Sequence, residues 1–183
     1  NGDDVGAIIA QALSLSDQKP EDGDVLVLAQ KIVSKAEGRA VRLDTVKPSP
    51  QACKLAAEVD KDPRVIELIL AESQQVIRKK PGVIIVEHRL GYVLANAGID
   101  RSNVQSDENF VLLLPVDPDG SAERIRKILQ DRFSIRIGVI IADSVGRAWR
   151  LGTTGMALGS AGVVALVNLG VGMVMYGVFV LKR

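Results

Sequence analysis

The stretch Arg136–Arg150, RIGVIIADSVGRAWR, decides the fold. Its apolar run from Ile137 to Ala142 is short and rich in isoleucine and valine, which predicts a strand buried on both faces. The run stops at an acid and a hydroxyl, Asp143 and Ser144. Open α/β sheets gather their ligands at the carboxyl ends of such strands. A second apolar run meets an acid in the same way: Tyr92 to Ala95 leads through Asn96-Ala97-Gly98-Ile99 to Asp100, with Ser102 and Asn103 close behind. Two strand ends of this kind can share one hard cation.

The 183 residues are 47% apolar and 25% charged, which suits one globular domain with an ordinary core. A formal net charge of +1 supplies no broad attraction to nucleic acid, and 3% aromatics supply little base stacking. Nucleic-acid binding is therefore not expected, and any anion must be met locally. The single cysteine, Cys53, falls in a helical pattern beside Ala52, Leu55 and Ala56, which predicts a small buried hydrophobe rather than a nucleophile. With no disulfide framework, the composition fits a reducing cytoplasm. The sequence opens on Asn1 with no signal-like segment behind it, so it reads as beginning inside a longer protein.

Outward from the central stretch, the elements mix. Val5, Ile8, Ile9, Ala12 and Leu13 recur at helical spacing behind Asp3 and Asp4, either of which can cap a first turn. Val25 to Ala29 is a continuous apolar strand that delivers QKIVSKAEGR, where Lys31 and Lys35 share a face if the segment is helical. Two readings of that face stay open: an ammonium can neutralise a polyphosphate oxygen, or the pair is a solvated basic surface. Ser49-Pro50, Asp62-Pro63 and Asp117-Pro118 each read as a cap followed by a first helical residue. The second of these predicts a long helix to about Lys79, stopped by Pro81, with Lys79 and Lys80 answering the helix dipole. Val83–Val86 and Tyr92–Ala95 predict a hairpin. His88, in its connection, is read as a surface or packing residue without a chemical role. Val111–Leu114 is a further strand, and the helix after Pro118 reaches about Asp131. The order of elements predicts a mixed sheet with packed helices, an α+β fold.

From Leu151 to Leu181 no residue is charged, and Gly155 and Gly159 form a small-xxx-small pair. Two readings are open: a glycine-faced helix near Gly155 to Val164 packed on a sheet and followed by strands, or a membrane span over Ala161–Leu181. The absence of a basic flank before the span and the soluble character of every earlier segment favour the first.

Asp100 and Asp143 with the hydroxyl of Ser144 offer the oxygen ligands that hard divalent cations prefer, while water and phosphate fill the remaining positions. Metal-assisted phosphoryl transfer is the matching reaction class. Neither a phosphate-binding P-loop nor a dinucleotide glycine motif is present. Arg147 and Arg150 can hold a polyanion or balance the acids.

The segments EDGDVLVLAQKIVSKAEGR, HRLGYVLANAGIDRSNV, LLLPVDPDGSAERIR and GVIIADSVGRAWRLGTTGMALGSAG together resemble the coenzyme F420-0:L-glutamate ligases, the F420 gamma-glutamyl ligase family. That resemblance implies a GTP-dependent ligase that joins L-glutamate to F420-0, and then further gamma-linked glutamates, through an acyl phosphate with release of GDP and phosphate. It implies that Asp100 and Asp143 bind one divalent metal and that Ser144 binds another. It also implies that Gln30, Lys35 and Asn103 contact GTP. Magnesium or manganese with potassium, and a homodimer, follow from the same source. On this reading residues 1–183 form a single ligase-like domain lacking the family's first strand and its C-terminal segment. Where relatives carry arginines and an aspartate, this sequence reads LGVGMVMYGV over Leu169–Val178. The alternative is a non-catalytic truncated relative that binds metal or nucleotide, or acts through association.

Overall fold

The computed structural model describes residues 2–17, 19–101, 109–146 and 151–164. Within them the fold is α+β, with three small sheets. The first holds β1 (Val25–Ala29), β7 (Gly138–Gly146) and β8 (Thr153–Ala161) in the order β1-β7-β8. Strands β1 and β7 run parallel in register from Val25 opposite Gly138 to Ala29 opposite Ala142, and β8 returns antiparallel to β7. Helix α5 (Pro118–Phe133) covers this sheet, and helix α1 (Val5–Leu15) packs on α5. Val139 and Ile141 of β7 are fully buried against Ala122, Ile125 and Leu129 of α5. The predicted central strand is therefore found between β1 and β8, but the expectation of burial on both faces holds for one only: Val139 and Ile141 are buried, while Ile140 and Ala142 on the other face are half-buried.

Helices α3 (Pro50–Val59) and α4 (Pro63–Ala71) build a second core on the antiparallel sheet of β3 (Ser73–Lys80), β4 (Val83–His88) and β5 (Val93–Ala95). Ala52, Leu55, Ala56 and Val59 of α3 meet Ile66 and Ile69 of α4 and Ile84 and Val86 of β4. Each large apolar side chain buried here contributes about 1.5–3 kcal/mol. Strand β2 (Ala40–Arg42) pairs antiparallel with β6 (Phe110–Leu112) between the two cores. Helix α2 (Gln30–Ala36) follows β1 directly. The four expected caps are present: Asp4, Ser49, Asp62 and Asp117 each accept a backbone N–H of their helix's first turn.

Three expectations are corrected. The helix opened by Pro63 ends at Ala71, and Ser73–Lys80 is strand β3 rather than its continuation. Lys80 pairs with Val83 across Pro81-Gly82, and Gly82 has φ 79°. Proline then glycine at positive φ is the signature of a type II turn, so Pro81 makes a hairpin instead of stopping a helix. Lys79 consequently pairs with Glu58 of α3 rather than with a helix end. Likewise Thr153–Ala161 is a strand, not a helix. Glycines four apart fit both the helical and the strand period, and pairing with β7 decides between them. Gly159 is nevertheless a packing glycine: a Cβ there would lie 2.3 Å from the backbone carbon of Pro118. Finally, Cys53 is exposed, because the buried stripe of α3 runs through Ala52, Leu55, Ala56 and Val59 and leaves its neighbour outside. No helix among the described residues is long and apolar enough to cross a membrane. The span Ala161–Leu181 falls largely, and LGVGMVMYGV wholly, outside the described residues.

One buried carboxylate ties the cores together. Glu72, at the end of α4, receives Arg39 Nη2 at 2.8 Å and Arg89 Nε at 3.0 Å. Fully buried His88 places Nε2 at 3.4 Å from the same oxygen. His88 Nδ1 accepts from the Leu90 N–H at 3.1 Å, which fixes the ring beside the acid. His88 is thus a packing residue with a structural partner. Arg39 also donates to the Leu114 carbonyl at 2.8 Å, which joins the knot to the chain just beyond β6.

Burial pushes the Glu72 carboxyl up, but the adjacent His88 imidazole and the hydrogen bonds from Arg39 and Arg89 outweigh it and hold the group at about 2, below its ordinary 4.5. A lowered carboxyl pKa stabilises the fold above the unfolded value, and that stability is lost as pH falls from 4.5 toward about 2. Glu72→Gln should therefore cost on the order of 3 kcal/mol at pH 7. The gap to wild type should close as pH drops through that window, as read from urea unfolding midpoints. A gap independent of pH would refute the assignment.

Candidate functional site

The site arises where β1 and β7 part. Their parallel pairing ends at Ala29 and Ala142, after which β1 turns into α2 and β7 runs on through Asp143, Ser144, Val145 and Gly146 beside β8. Asp143 and Ser144 therefore lie within β7 rather than beyond its end. They occupy the part from which β1 has departed. The first turn of α2 brings Gln30 and Lys31 to the gap, and the chain after β5 brings Asp100. Together these residues line a cleft of about 1100 Å³ whose other wall is apolar, with Ile85, Val93 and Leu94.

Asp100 reaches the cleft by an unusual route. Asn96, Ala97 and Gly98 all have positive φ, at 52°, 55° and 68°. Left-handed backbone costs about 1–2 kcal/mol for a residue with a Cβ, so the surroundings must hold this turn in place. Ala97 is fully buried, and the Ile99 N–H donates to the Asn96 carbonyl at 3.0 Å. A Cβ on Gly98 would lie 2.9 Å from Leu114 Cδ1. Asp100 is then pinned by two backbone hydrogen bonds with Leu112, at 3.0 and 2.8 Å.

Electrostatically the cleft holds two acids and one ammonium. Asp100 Oδ2 is ion-paired with Lys31 Nζ. Asp143 Oδ1 accepts the Ser144 N–H at 2.8 Å. Burial raises the Asp143 carboxyl above its ordinary value, the Ser144 N–H lowers it, the charge of Asp100 raises it, and the charge of Lys31 lowers it. The net shift is upward. The two acids, which stand far apart in the chain, line the same cleft, and the charge of Asp100 adds to the upward shift of Asp143. Ser144 is exposed and follows Asp143 along β7, so the two side chains point to opposite faces of the strand.

Gln30 is 2% exposed, and its Oε1 accepts the Ser34 hydroxyl at 2.8 Å, which locks the start of α2. Lys35, one turn beyond Lys31, is exposed and does not line the cleft. Asn103, Arg147 and Arg150 lie outside the described residues. The lysine that the cleft does use is Lys31. Helical spacing singled out both lysines, and only Lys31 stands in the first turn after β1, where a strand hands its ligand-facing end to a helix. Among the described residues no group of three or more histidine, cysteine or acidic side chains gathers to hold a metal. Two carboxylates on one cleft still fit a hard divalent ion, which needs few protein ligands and keeps water or phosphate oxygens.

Gly98→Ala should lower stability by about 1–3 kcal/mol through overpacking against Leu114 and should weaken divalent-ion binding by shifting Asp100. Urea unfolding and manganese titration check the two effects; unaltered manganese affinity would mean that the turn does not set the acid's position.

Comparison with known proteins adds to this geometry. The family described as F420-0:Gamma-glutamyl ligase matches residues 1–176. The coenzyme F420:L-glutamate ligase of Methanopyrus kandleri is 45% identical over 167 residues, covering 91% of this chain and 64% of the relative. That of Methanothermobacter thermautotrophicus is 46% identical over 162 residues, covering 88% and 64%. That of Methanocaldococcus jannaschii is 42% identical over 146 residues, covering 80% and 57%. The chain spans about three fifths of the length of these curated relatives.

Proposed function

The chain belongs to the F420-0:gamma-glutamyl ligase family, and from that premise we propose that its cleft performs the ligation that gives the relatives their name, joining L-glutamate to coenzyme F420-0 at the expense of GTP. The observation that carries the reading is the convergence of Asp100 and Asp143 on one cleft beside Lys31. A carboxylate is a poor electrophile and must be activated. In the proposed reaction an oxygen of the F420-0 carboxylate attacks the gamma phosphorus of GTP, the bond from that phosphorus to the bridging oxygen breaks, and GDP departs with the electron pair. The neutral amine of glutamate then attacks the acyl carbon of the acyl phosphate. Phosphate leaves with the pair from the carbon–oxygen bond, and the amine proton passes to solvent. Repetition on the side-chain carboxyl adds gamma-linked glutamates.

Asp100 and Asp143 would hold one magnesium or manganese ion and Ser144 a second. When bound, such ions supply positive charge to the crowded phosphate and carboxylate oxygens. Gln30, Lys35 and Asn103 are proposed to contact GTP. Lys35 would have to reach the nucleotide from outside the cleft lining. Ile85, Val93 and Leu94 border the polar end with apolar surface. No side-chain nucleophile is needed for either step. On the resemblance alone, the proposal extends to potassium as an assisting ion and a homodimer, and on composition to a cytoplasmic setting.

Incubation with F420-0, GTP, L-glutamate and manganese should give a glutamylated product by mass spectrometry. Asp143→Asn should reduce its rate at least about 100-fold, since even outer-shell partners of metal ligands cost 10–100-fold. Metal-independent product formation, or an Asp143→Asn rate equal to wild type, would overturn the reading.

A further inference from the structure

We infer that Lys31 is the resident counter-cation of this cleft: its ammonium neutralises the acids while no divalent ion is bound, yields its place to that ion, and is then taken up by the phosphates of the incoming nucleotide. The inference rests on the metal and nucleotide reading above and deepens it.

Lys31 is in the first turn of α2, its ammonium is on Asp100 Oδ2, and its charge is felt by Asp143 as well. It is the one lysine or arginine among the described residues lining the cleft. Two carboxylates held in one half-buried space repel each other, and a single ammonium offsets only part of that repulsion. A divalent ion would offset all of it. The ammonium and the ion cannot both stay on Asp100, however, because like charges a few ångströms apart in a partly desolvated site oppose each other strongly. Lysine suits the exchange. Its side chain is partly exposed, and its ammonium makes a point contact rather than the two-pronged grip of a guanidinium. Once displaced, it remains tethered in the same cleft, where the nearest new negative charge is a triphosphate.

The two binding events are then coupled through one side chain, with opposite signs on its removal. Lys31→Met keeps the length of the stem and deletes the charge. Titrated with manganese alone, this variant should bind the ion about tenfold more tightly than wild type, because the competing cation is gone. Titrated with GTP at saturating manganese, it should bind about tenfold more weakly, because the freed ammonium is missing. Lys31→Gln should shift both affinities in the same directions, and either variant that keeps the wild-type far-UV spectrum suffices. Manganese affinity equal to or weaker than wild type, or GTP affinity unchanged, would overturn the exchange. Wild type failing to bind manganese at all would instead overturn the metal reading from which the inference starts.

Discussion

The site depends on where one parallel pairing stops. While β1 lies beside β7, from Val25–Gly138 to Ala29–Ala142, both strands satisfy each other's backbone and the sheet is closed on that side. At Gln30 the chain turns into α2, and β7 goes on with only β8 to support it among the described residues. The vacated edge is where Asp143 stands. Had β1 continued two residues further, it would have lain alongside Asp143 and Ser144, and no cleft would open between α2 and the chain that carries Asp100. The register also fixes the partner residue, because the helix that replaces β1 begins with Gln30 and Lys31 at the same level as the acid.

Two carboxylates in this molecule, each withdrawn from water, are treated in opposite ways. Glu72 is surrounded by two arginines and an imidazole, and its proton affinity falls. Asp143 has one backbone N–H and a shared ammonium, with a second acid nearby, and its proton affinity rises. The first arrangement is complete: the donors around the carboxylate satisfy its charge, and it serves the fold. The second is deficient in positive charge, which is costly in a structural site and useful in one that must accept a cation.

What could be read from the sequence was mostly local. Caps such as Ser49-Pro50 and Asp117-Pro118 carry their own hydrogen-bond logic, and the run Ile137–Ala142 declares burial by composition, so both were legible without tertiary knowledge. Ser73–Lys80 was not, because Gln74, Gln75 and two lysines suit an exposed helix end as well as an edge strand. The deciding fact was the pairing of Lys80 with Val83 across a proline-glycine turn. Thr153–Ala161 failed for a related reason: its glycines have no side chains to reveal a period. In the site, the acids were legible as strand-end carboxylates, whereas the choice between Lys31 and Lys35 was not. Two lysines four residues apart look alike along a helix, and only the direction in which α2 leaves β1 separates them.

The two acids belong to different cores, and that makes their separation a property of the interface between cores. Asp100 is continuous with Ile99, which is packed in the cluster under α3 and α4, while Asp143 follows Ile141 of the cluster under α5. What joins the two near the cleft is small: Leu94, Leu114, Val145 and Leu158, together with the Tyr92 hydroxyl donating to the Leu158 carbonyl. Leu114 is also the residue against which Gly98 is fitted, and its carbonyl receives Arg39 from the Glu72 knot. The same leucine thus touches the turn that delivers one acid, the small cluster beneath the strand that carries the other, and the ion network that joins the cores. Close-packed interiors transmit such constraints because their side chains have few alternative arrangements. A site made of two carboxylates and little else can therefore be held to a fixed separation without a dense shell of ligands, since the rigidity comes from the packing behind it.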